Sequence, residues 1–410
     1  MTNTTEATQP LWPAVLVVLA GIVAAMHVGK VAPAIPILRA QLDVSLVQAG
    51  WLLSLSQMAG MLTAVFVGMF ADGFGLRRSV LWGLVLLGLL SGLAGLTTSA
   101  PQLLLMRAIE GAAILMVIVP APALLRSLVD PDRLSTAMGF WGTFMPTGTA
   151  TALLLGPALM AHFGWATWWE TLGAIALLMA LLFNMGVPRV AVAVAVAGAR
   201  PPAANLQRLR LVWRTPQVWR VALAFACYSG QWLVIIGFLP TLLQTGGMSA
   251  GLAGTIAAIA SAVNIVGNIA GGRLLQKGVP SQRVLGIAFA TMAAGAFVVF
   301  GTPSDTPLIV KLVAVLMFSG VGGMIPGSLF SLAVRAAPTE DTASTALGWT
   351  TQMSMLGQFC MPPVVAIFAS YHGDWSLTWV ITGSLALVGI YLTSINRRHK
   401  QHRLTKSHCD

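Results

Sequence analysis

Gly68-Met-Phe-Ala-Asp72-Gly-Phe-Gly75-Leu-Arg77-Arg78 is a short polar stretch between two long apolar runs, 47–70 and 79–97. Each run has about the 20 residues that a helix needs to cross the hydrocarbon of a bilayer. The glycines permit a tight turn at the membrane surface, Asp72 can face the N-terminus of a helix, and the paired arginines can anchor to lipid phosphates. The stretch therefore reads as the loop of a membrane hairpin. Ten further apolar runs extend the pattern: 12–38, 102–125, 135–161, 166–187, 218–243, 250–274, 284–301, 307–334, 343–369 and 376–395. The first run occupies the place of a signal peptide but is too long, lacks a basic leader and has a counterpart later in the chain, so it reads as a retained span.

Composition agrees. The 410 residues are 57% hydrophobic and only 9% charged, with a mean hydropathy of +0.82, whereas a soluble domain carries roughly 25% charged residues. Disordered, collagenous and disulfide-scaffold classes are excluded on the same ground. The expected fold is an all-α, multi-pass membrane protein with twelve transmembrane helices in two pseudo-symmetric six-helix bundles: residues 1–187, a cytoplasmic linker at 188–217, and residues 218–410 ending in a basic cytoplasmic tail.

A net charge of +11 from 23 Lys and Arg against 12 Asp and Glu invites a nucleic-acid reading, but position argues against it. Nineteen of the 23 basic residues fall in alternate connections, in the linker or in the tail, on one side of the twelve runs. Arg39 alone falls on the other side, and Lys30, Arg107 and Lys311 lie within runs. By the positive-inside rule both termini are expected in the cytoplasm of a bacterial-type inner membrane, with the lipid bilayer and not nucleic acid as partner. Cys227 and Cys360 sit in apolar runs and Cys409 is next to last, so neither a disulfide framework nor a prenylation box is expected. The basic tail from Arg397 reads as solvated chain attracted to anionic lipid rather than as a metal site, and no metal or other cofactor is expected.

The halves repeat. Pro36 and Leu38 return 204 residues later as Pro240 and Leu242; Ser45, Ala49 and Gly50 as Ser249, Ala253 and Gly254; and Gly68 as Gly272. Ser135-Thr-Ala-Met-Gly139 returns as Ser344-Thr-Ala-Leu-Gly348, and His162, Trp165, Trp169 and Gly173 return 210 residues on as His372, Trp375, Trp379 and Gly383. Apolar composition alone aligns alanines and leucines, not this series. Two homologous six-helix halves around a midplane site is a plan of secondary transporters.

The loop at 68–78 looks like the signature loop of the major facilitator superfamily. It lacks the basic residues that the family pattern usually has at the positions of Gly73 and Leu76, while Gly68, Asp72, Gly75, Arg77 and Arg78 remain. Leu103-x-x-x-Arg107-x-x-Glu110-Gly111 resembles a second motif of the superfamily, whose arginine faces the central cavity. Gly29-Lys30 through Pro36 and Gln48-Ala-Gly-Trp51 resemble the cyanate- and nitroimidazole-permease branch. The antiporter signature expected in the fifth helix is incomplete: Gly139 and Gly148 fit, but Ala152-Leu153 stand where Gly-Pro belongs and Gly156-Pro157 comes late.

His27 and Lys30 share one face of the first helix, and Arg107 and Glu110 one face of the fourth. A charge at mid-membrane costs about 2.5–3.5 kcal/mol on the insertion scale, so each should meet a cavity or a partner. The resemblance puts both pairs on cavity-lining helices. The repeat pairs Arg107 with Lys311 and His27 with Gln231, and two cations facing across a cavity suit a small anion. Plainer readings stand beside these: Lys311 snorkelling to the interface, Arg107–Glu110 as a structural tie, His27 as a bonded interior residue, and Asn264 and Asn268 as interhelical hydrogen-bonders. Trp51, Trp141, Trp232 and Tyr228 read as packing.

With no nucleotide-binding loop and no catalytic constellation, the chain is expected to be a transporter and not an enzyme, driven by a gradient. The expected function is proton-coupled transport of a small anion, inorganic or a carboxylate, by a monomer. Lys30, Arg107, Lys311 and Gln231 would bind substrate, Glu110 or His27 would carry the proton, and the 68–78 loop would gate, with Asp72 facing the start of the eleventh helix near Thr342–Ser344. The alternative is a proton-coupled exporter of drugs or other hydrophobic solutes.

Overall fold

The computed structural model describes residues 11–189, 202–303 and 305–394; the side chains of 67–74, 131, 135 and 202–205 fall outside that description. Among the described residues there is no strand. A backbone crossing hydrocarbon must satisfy its own N–H and C=O groups, and helices do so within one segment. Ten helices are long and apolar enough to span: α1 Trp12–Gln41, α2 Leu46–Phe66, α3 Leu76–Gly95, α4 Ala100–Leu128, the double span Asp132–Gly186, α7 Pro216–Thr245, α8 Ala250–Gln276, α9 Ser281–Gly301, α10 Leu308–Ala336 and α11 Glu340–His372; the shorter Thr378–Ser394 is α12. Asp132–Gly186 has 55 residues, too many for one crossing. Gly164, at φ +82°, breaks it into α5 (132–163) and α6 (165–186). The twelve helices make a multi-pass integral membrane protein.

Twelve crossings put the two ends of the chain and the connection between α6 and α7 on one face, here the linker side; the opposite face is the far side. The connection, expected as a linker, contains a helix at Pro202–Trp213. Its Leu209 and Val212 are buried in one cluster with Val65 of α2 and Ala346, Trp349 and Met353 of α11. Large apolar side chains stand exposed on α3 (Leu86, Leu89, Leu93), α6 (Leu178, Leu181, Leu182) and α12 (Leu387, Val388), a surface that only lipid can cover without cost.

The halves meet along their length. On the far side Gly50 of α2 lies on the Pro362 and Pro363 backbone of α11, and Gly254 of α8 lies on Leu153 and Pro157 of α5. Towards the linker side Ser261 donates to the Pro146 carbonyl (3.1 Å), Asn268 to the Gly142 carbonyl (3.2 Å), and Val65 N–H to Gln352 Oε1 (3.0 Å). The halves are therefore in contact through α2–α11 and α5–α8 at both levels.

The site helices are deliberately irregular. α1 loses its α-helical ladder after Gly29 and continues as a 3₁₀ turn at Ala32–Ala34. Pro33 has no N–H to offer the Gly29 carbonyl, and Ala34 N–H bonds Val31 instead of Lys30. The freed Lys30 carbonyl accepts from Trp168 Nε1 of α6 (3.2 Å). α2 has a similar 3₁₀ turn at Leu55–Gln57.

Candidate functional site

The breaks in α1 and α2 set the scene for a fully buried cluster just beyond mid-depth towards the far side. Lys30 Nζ donates to Glu110 Oε1 (2.6 Å) and Ser91 Oγ (2.9 Å). Arg107 Nη1 donates to the other carboxylate oxygen, Glu110 Oε2 (2.7 Å), and to the His27 carbonyl (2.9 Å), while its Nε donates to the Leu52 carbonyl (3.1 Å). Lys30 also lies 5.1 Å from the centre of the Trp169 ring. Ser91 passes its own proton to the Trp169 carbonyl (2.7 Å). His27, Lys30, Ser91, Arg107, Glu110 and Trp169 are all wholly inaccessible to solvent.

One carboxylate therefore holds two cations, and the cluster has one positive charge in excess. His27 adds none in this arrangement. Lys30 Nζ is 3.4 Å from its Nδ1 and the Leu172 carbonyl is 3.2 Å from its Nε2. An ammonium only donates and a carbonyl only accepts, so the pattern fits a neutral ring with its proton on Nε2. The network ties α1, α2, α3, α4 and α6 together, all in the first half. Each buried charge has a partner, which is the condition for tolerating it in hydrocarbon.

The structure thus brings together His27, Lys30, Arg107 and Glu110 and leaves two expected members elsewhere. Lys30, with no acidic residue on its own helix, finds one on α4. Lys311 does not face Arg107: it is partly exposed at the far end of α10 and its Nζ bonds the Pro303 carbonyl (3.2 Å). Its long apolar stem lets the ammonium reach the interface, so the snorkelling alternative describes its position. Gln231 is fully buried on α7, where its Nε2 bonds the Cys227 carbonyl of its own helix (2.8 Å) and its Oε1 has no partner.

Other buried polar atoms without partners include Arg107 Nη2, Gln57 Nε2 and the hydroxyls of Ser56 and Thr149. These lie close to the cluster: the Ser56 backbone abuts Gly111, one turn from Arg107, and Thr149 abuts Gly29. Ser91, Gln57 and Thr149 were not singled out from the sequence, and Trp169 stood out only as a member of the repeat. Their signal is weak, because a lone Ser, Thr or Gln in an apolar helix is common, and only the adjacency of Ser91 to Lys30 gives it meaning. In the second half the equivalent depth is neutral. Asn264 Nδ2 donates to Tyr228 OH (2.9 Å) and the Ser319 carbonyl (2.8 Å), and Trp232 Nε1 donates to Ser319 Oγ (3.2 Å).

In the loop at 68–78, Gly75 turns the chain at φ +88°, a conformation that favours glycine. Arg77 bonds the end of α6, from Nε to the Val187 carbonyl (2.8 Å) and from Nη2 to the Asn184 carbonyl (2.8 Å) and Asn184 Oδ1 (2.9 Å). Arg78 is exposed. The side chains at Gly68 and Asp72, and the tail from Arg397, lie outside the described residues. Among the described residues no group of His, Cys, Asp and Glu is arranged to hold a metal.

Two six-helix halves enclosing buried charge at mid-depth define a secondary transporter. Residues 17–359 match the Major Facilitator Superfamily, and the chain belongs to that family: it is a membrane transporter of the alternating-access type and not an enzyme. It is 26% identical to the 2-nitroimidazole transporter of Escherichia coli (strain K12) over 87% of this chain and 88% of that protein. It is also 28% identical to the tetracenomycin C resistance and export protein of Streptomyces glaucescens, over 38% of this chain and 29% of that protein. The fold resembles the crystal structure of the D-xylose–proton symporter, with a TM-score of 0.71 at 15% identity over 93% of this chain and 96% of that one.

Proposed function

We propose that this transporter carries a small anion together with protons. Lys30 and Arg107 would supply the positive charge, and Glu110 the proton site. The observation that carries the reading is Arg107 Nη2: a wholly buried guanidinium nitrogen with no acceptor, in a cluster whose single carboxylate leaves one positive charge uncompensated. An anion on Nη2 satisfies the orphan donor and the excess charge together. It also competes with Glu110 for Arg107, and the carboxylate so released would be the group that takes the symported proton. Gln57 Nε2 offers a further donor, while Gln231, whose free atom is an acceptor oxygen, stays outside the set. Lys311 is left out of this set by its position.

The remaining features follow the sequence reading. The linker side is cytoplasmic in a bacterial inner membrane, residues 1–187 and 218–410 rock about the linker at 188–217, and the loop at 68–78 gates the linker side. The protein acts as a monomer. Among relatives, the 3-(3-hydroxy-phenyl)propionate transporter of Escherichia coli (strain K12), 27% identical over 49% of each chain, is named for a carboxylate. A second reading, export of hydrophobic solutes with Glu110 as the proton site, is favoured by the aromatic pair Trp51–Phe359 across the halves, 5.5 Å apart.

The test is proton uptake. Purified protein in weakly buffered detergent, followed with a pH indicator, is titrated with cyanate, nitrate, acetate and benzoate. A binding anion should draw protons from solution, and Glu110→Gln should abolish that uptake. No response to any of the anions, with proton release on adding a lipophilic cation, would give the case to export.

A further inference from the structure

Near the middle of α7, α8 and α10, three helices of the second half share a hydrogen-bond cluster whose polarity is forced. The Asn264 amide is 2.8 Å from the Ser319 carbonyl and 2.9 Å from Tyr228 OH. An amide oxygen turned that way would set two acceptors together, so the amino group faces both and gives one hydrogen to each. Tyr228 OH is therefore an acceptor. Trp232 Nε1 can only donate, so Ser319 Oγ, 3.2 Å away, is an acceptor too. Each hydroxyl keeps its own hydrogen, and neither gives it to any described residue. Ser229 shows the ordinary alternative, donating to the Phe225 carbonyl one turn back (2.8 Å). Ser319 is wholly buried and Tyr228 is 5% exposed, so both hydrogens lack the partner that a buried donor calls for.

The cluster lies where the halves meet. Ser261, Asn264 and Asn268 share one face of α8, and the outer two reach α5 of the first half, at the Pro146 and Gly142 carbonyls. The adjoining stripe, Gly267 and Gly271, lies on α10, so Asn264 sits between the α5 and α10 sides of its helix. Parting of α5 from α8 during alternating access would uncover it. The charged residues of α7, α8 and α10, which are Arg220, Arg273, Lys311 and Arg335, all stand near helix ends, and this depth is neutral. We propose that the Tyr228 and Ser319 hydroxyls bind the transported molecule through an uncharged hydrogen-bond acceptor, such as a carbonyl oxygen. Asn264 and Trp232 are positioning residues: by occupying a lone pair on each hydroxyl they turn its O–H bond away from themselves. The site reads a different part of the substrate from Arg107 and does not depend on the sign of the substrate's charge.

The test is calorimetric binding of shape-matched pairs to the purified full chain: 4-acetylbenzoate against 4-isopropylbenzoate, and 4-acetylphenol against 4-isopropylphenol. Within a pair that binds, wild type should prefer the acetyl member by about 3- to 10-fold, the worth of one hydrogen bond. Tyr228→Phe and Ser319→Ala should each reduce that preference while the isopropyl member binds as before, which a merely structural loss would not spare. Arg107→Gln should weaken both benzoates alike and leave their ratio unchanged. Binding of the phenols with no binding of the benzoates would remove the anion reading and keep this site. Equal binding within both pairs, or no binding of either pair, would overturn the proposal. So would a preference that survives in both hydroxyl variants, which would leave Tyr228 and Ser319 as ties between helices.

Discussion

Glu110 is the residue on which the cluster balances, with Lys30 on one oxygen and Arg107 on the other. Removing one member of a buried charge network leaves the rest uncompensated, at a cost of about 3–5 kcal/mol. Glu110→Gln should therefore melt well below wild type, and adding Lys30→Met should recover much of the loss by removing one stranded cation; equal melting of wild type and Glu110→Gln would show that the network is not structural. The spacings 27/30 and 107/110 were legible in the sequence because helical geometry forces residues three apart onto one face. What joined the pairs was not. Ser91 and Trp169 lie on other helices, and which helices touch is a matter of packing. Lys311 shows the complementary limit. The repeat gives its register against Arg107, but not its depth, and three residues from the start of α10 a lysine stem reaches the interface.

At the scale of elements, small residues set how closely helices approach, since lipid gives no hydrophobic drive between them. Along α8 and α10, Gly267 lies on the Gly320 carbonyl and Gly271 on Met324, whereas Gly272 faces open space. Gly267→Leu should thus force the helices apart and lower the melting temperature sharply, while Gly272→Leu should leave it near wild type; the pair is read side by side in one thermal scan, and equal effects would discount the packing argument. Arg77 is a helix-end device. Arg77→Ala removes three hydrogen bonds from the α6 terminus, two of them exposed, and should cost about 1 kcal/mol, measured as a modest fall in melting temperature. Apolar length and turn residues were enough to find all twelve spans, because hydrocarbon admits only helices and closed barrels and runs of about 20 apolar residues suit the helix. The helix at Pro202–Trp213 escaped because its apolar face is short and its arginines read as a loop.

The whole molecule is two related halves that have diverged in charge. The first concentrates a buried ion network, and the second places Tyr228, Asn264 and Ser319 at similar depth. Alternating access requires the contacts at the two ends of the interface to open in turn. Cysteines at Val65 and Gln352, in a background without Cys227, Cys360 and Cys409, should be bridged by a short bifunctional maleimide on the linker side. Transport in proteoliposomes should then stop, and persistence of normal turnover in fully cross-linked protein would mean that this end need not open. The repeat was visible in the sequence through Trp, His, Pro and Gly. The contacts between the halves were not, because they depend on how the two bundles dock.

If Lys30 and Arg107 carry the substrate's charge, equilibrium binding of a responsive anion to purified, normally folded variants will register it. Arg107→Gln and Lys30→Gln should each weaken binding by about 10- to 100-fold, the worth of a charge-assisted hydrogen bond. Arg107→Lys should also fail, because a point charge does not reproduce the two-pronged donor, while Lys311→Gln should bind as wild type. Wild-type affinity in Lys30→Gln and Arg107→Gln would contradict the account and leave the buried network a purely structural tie.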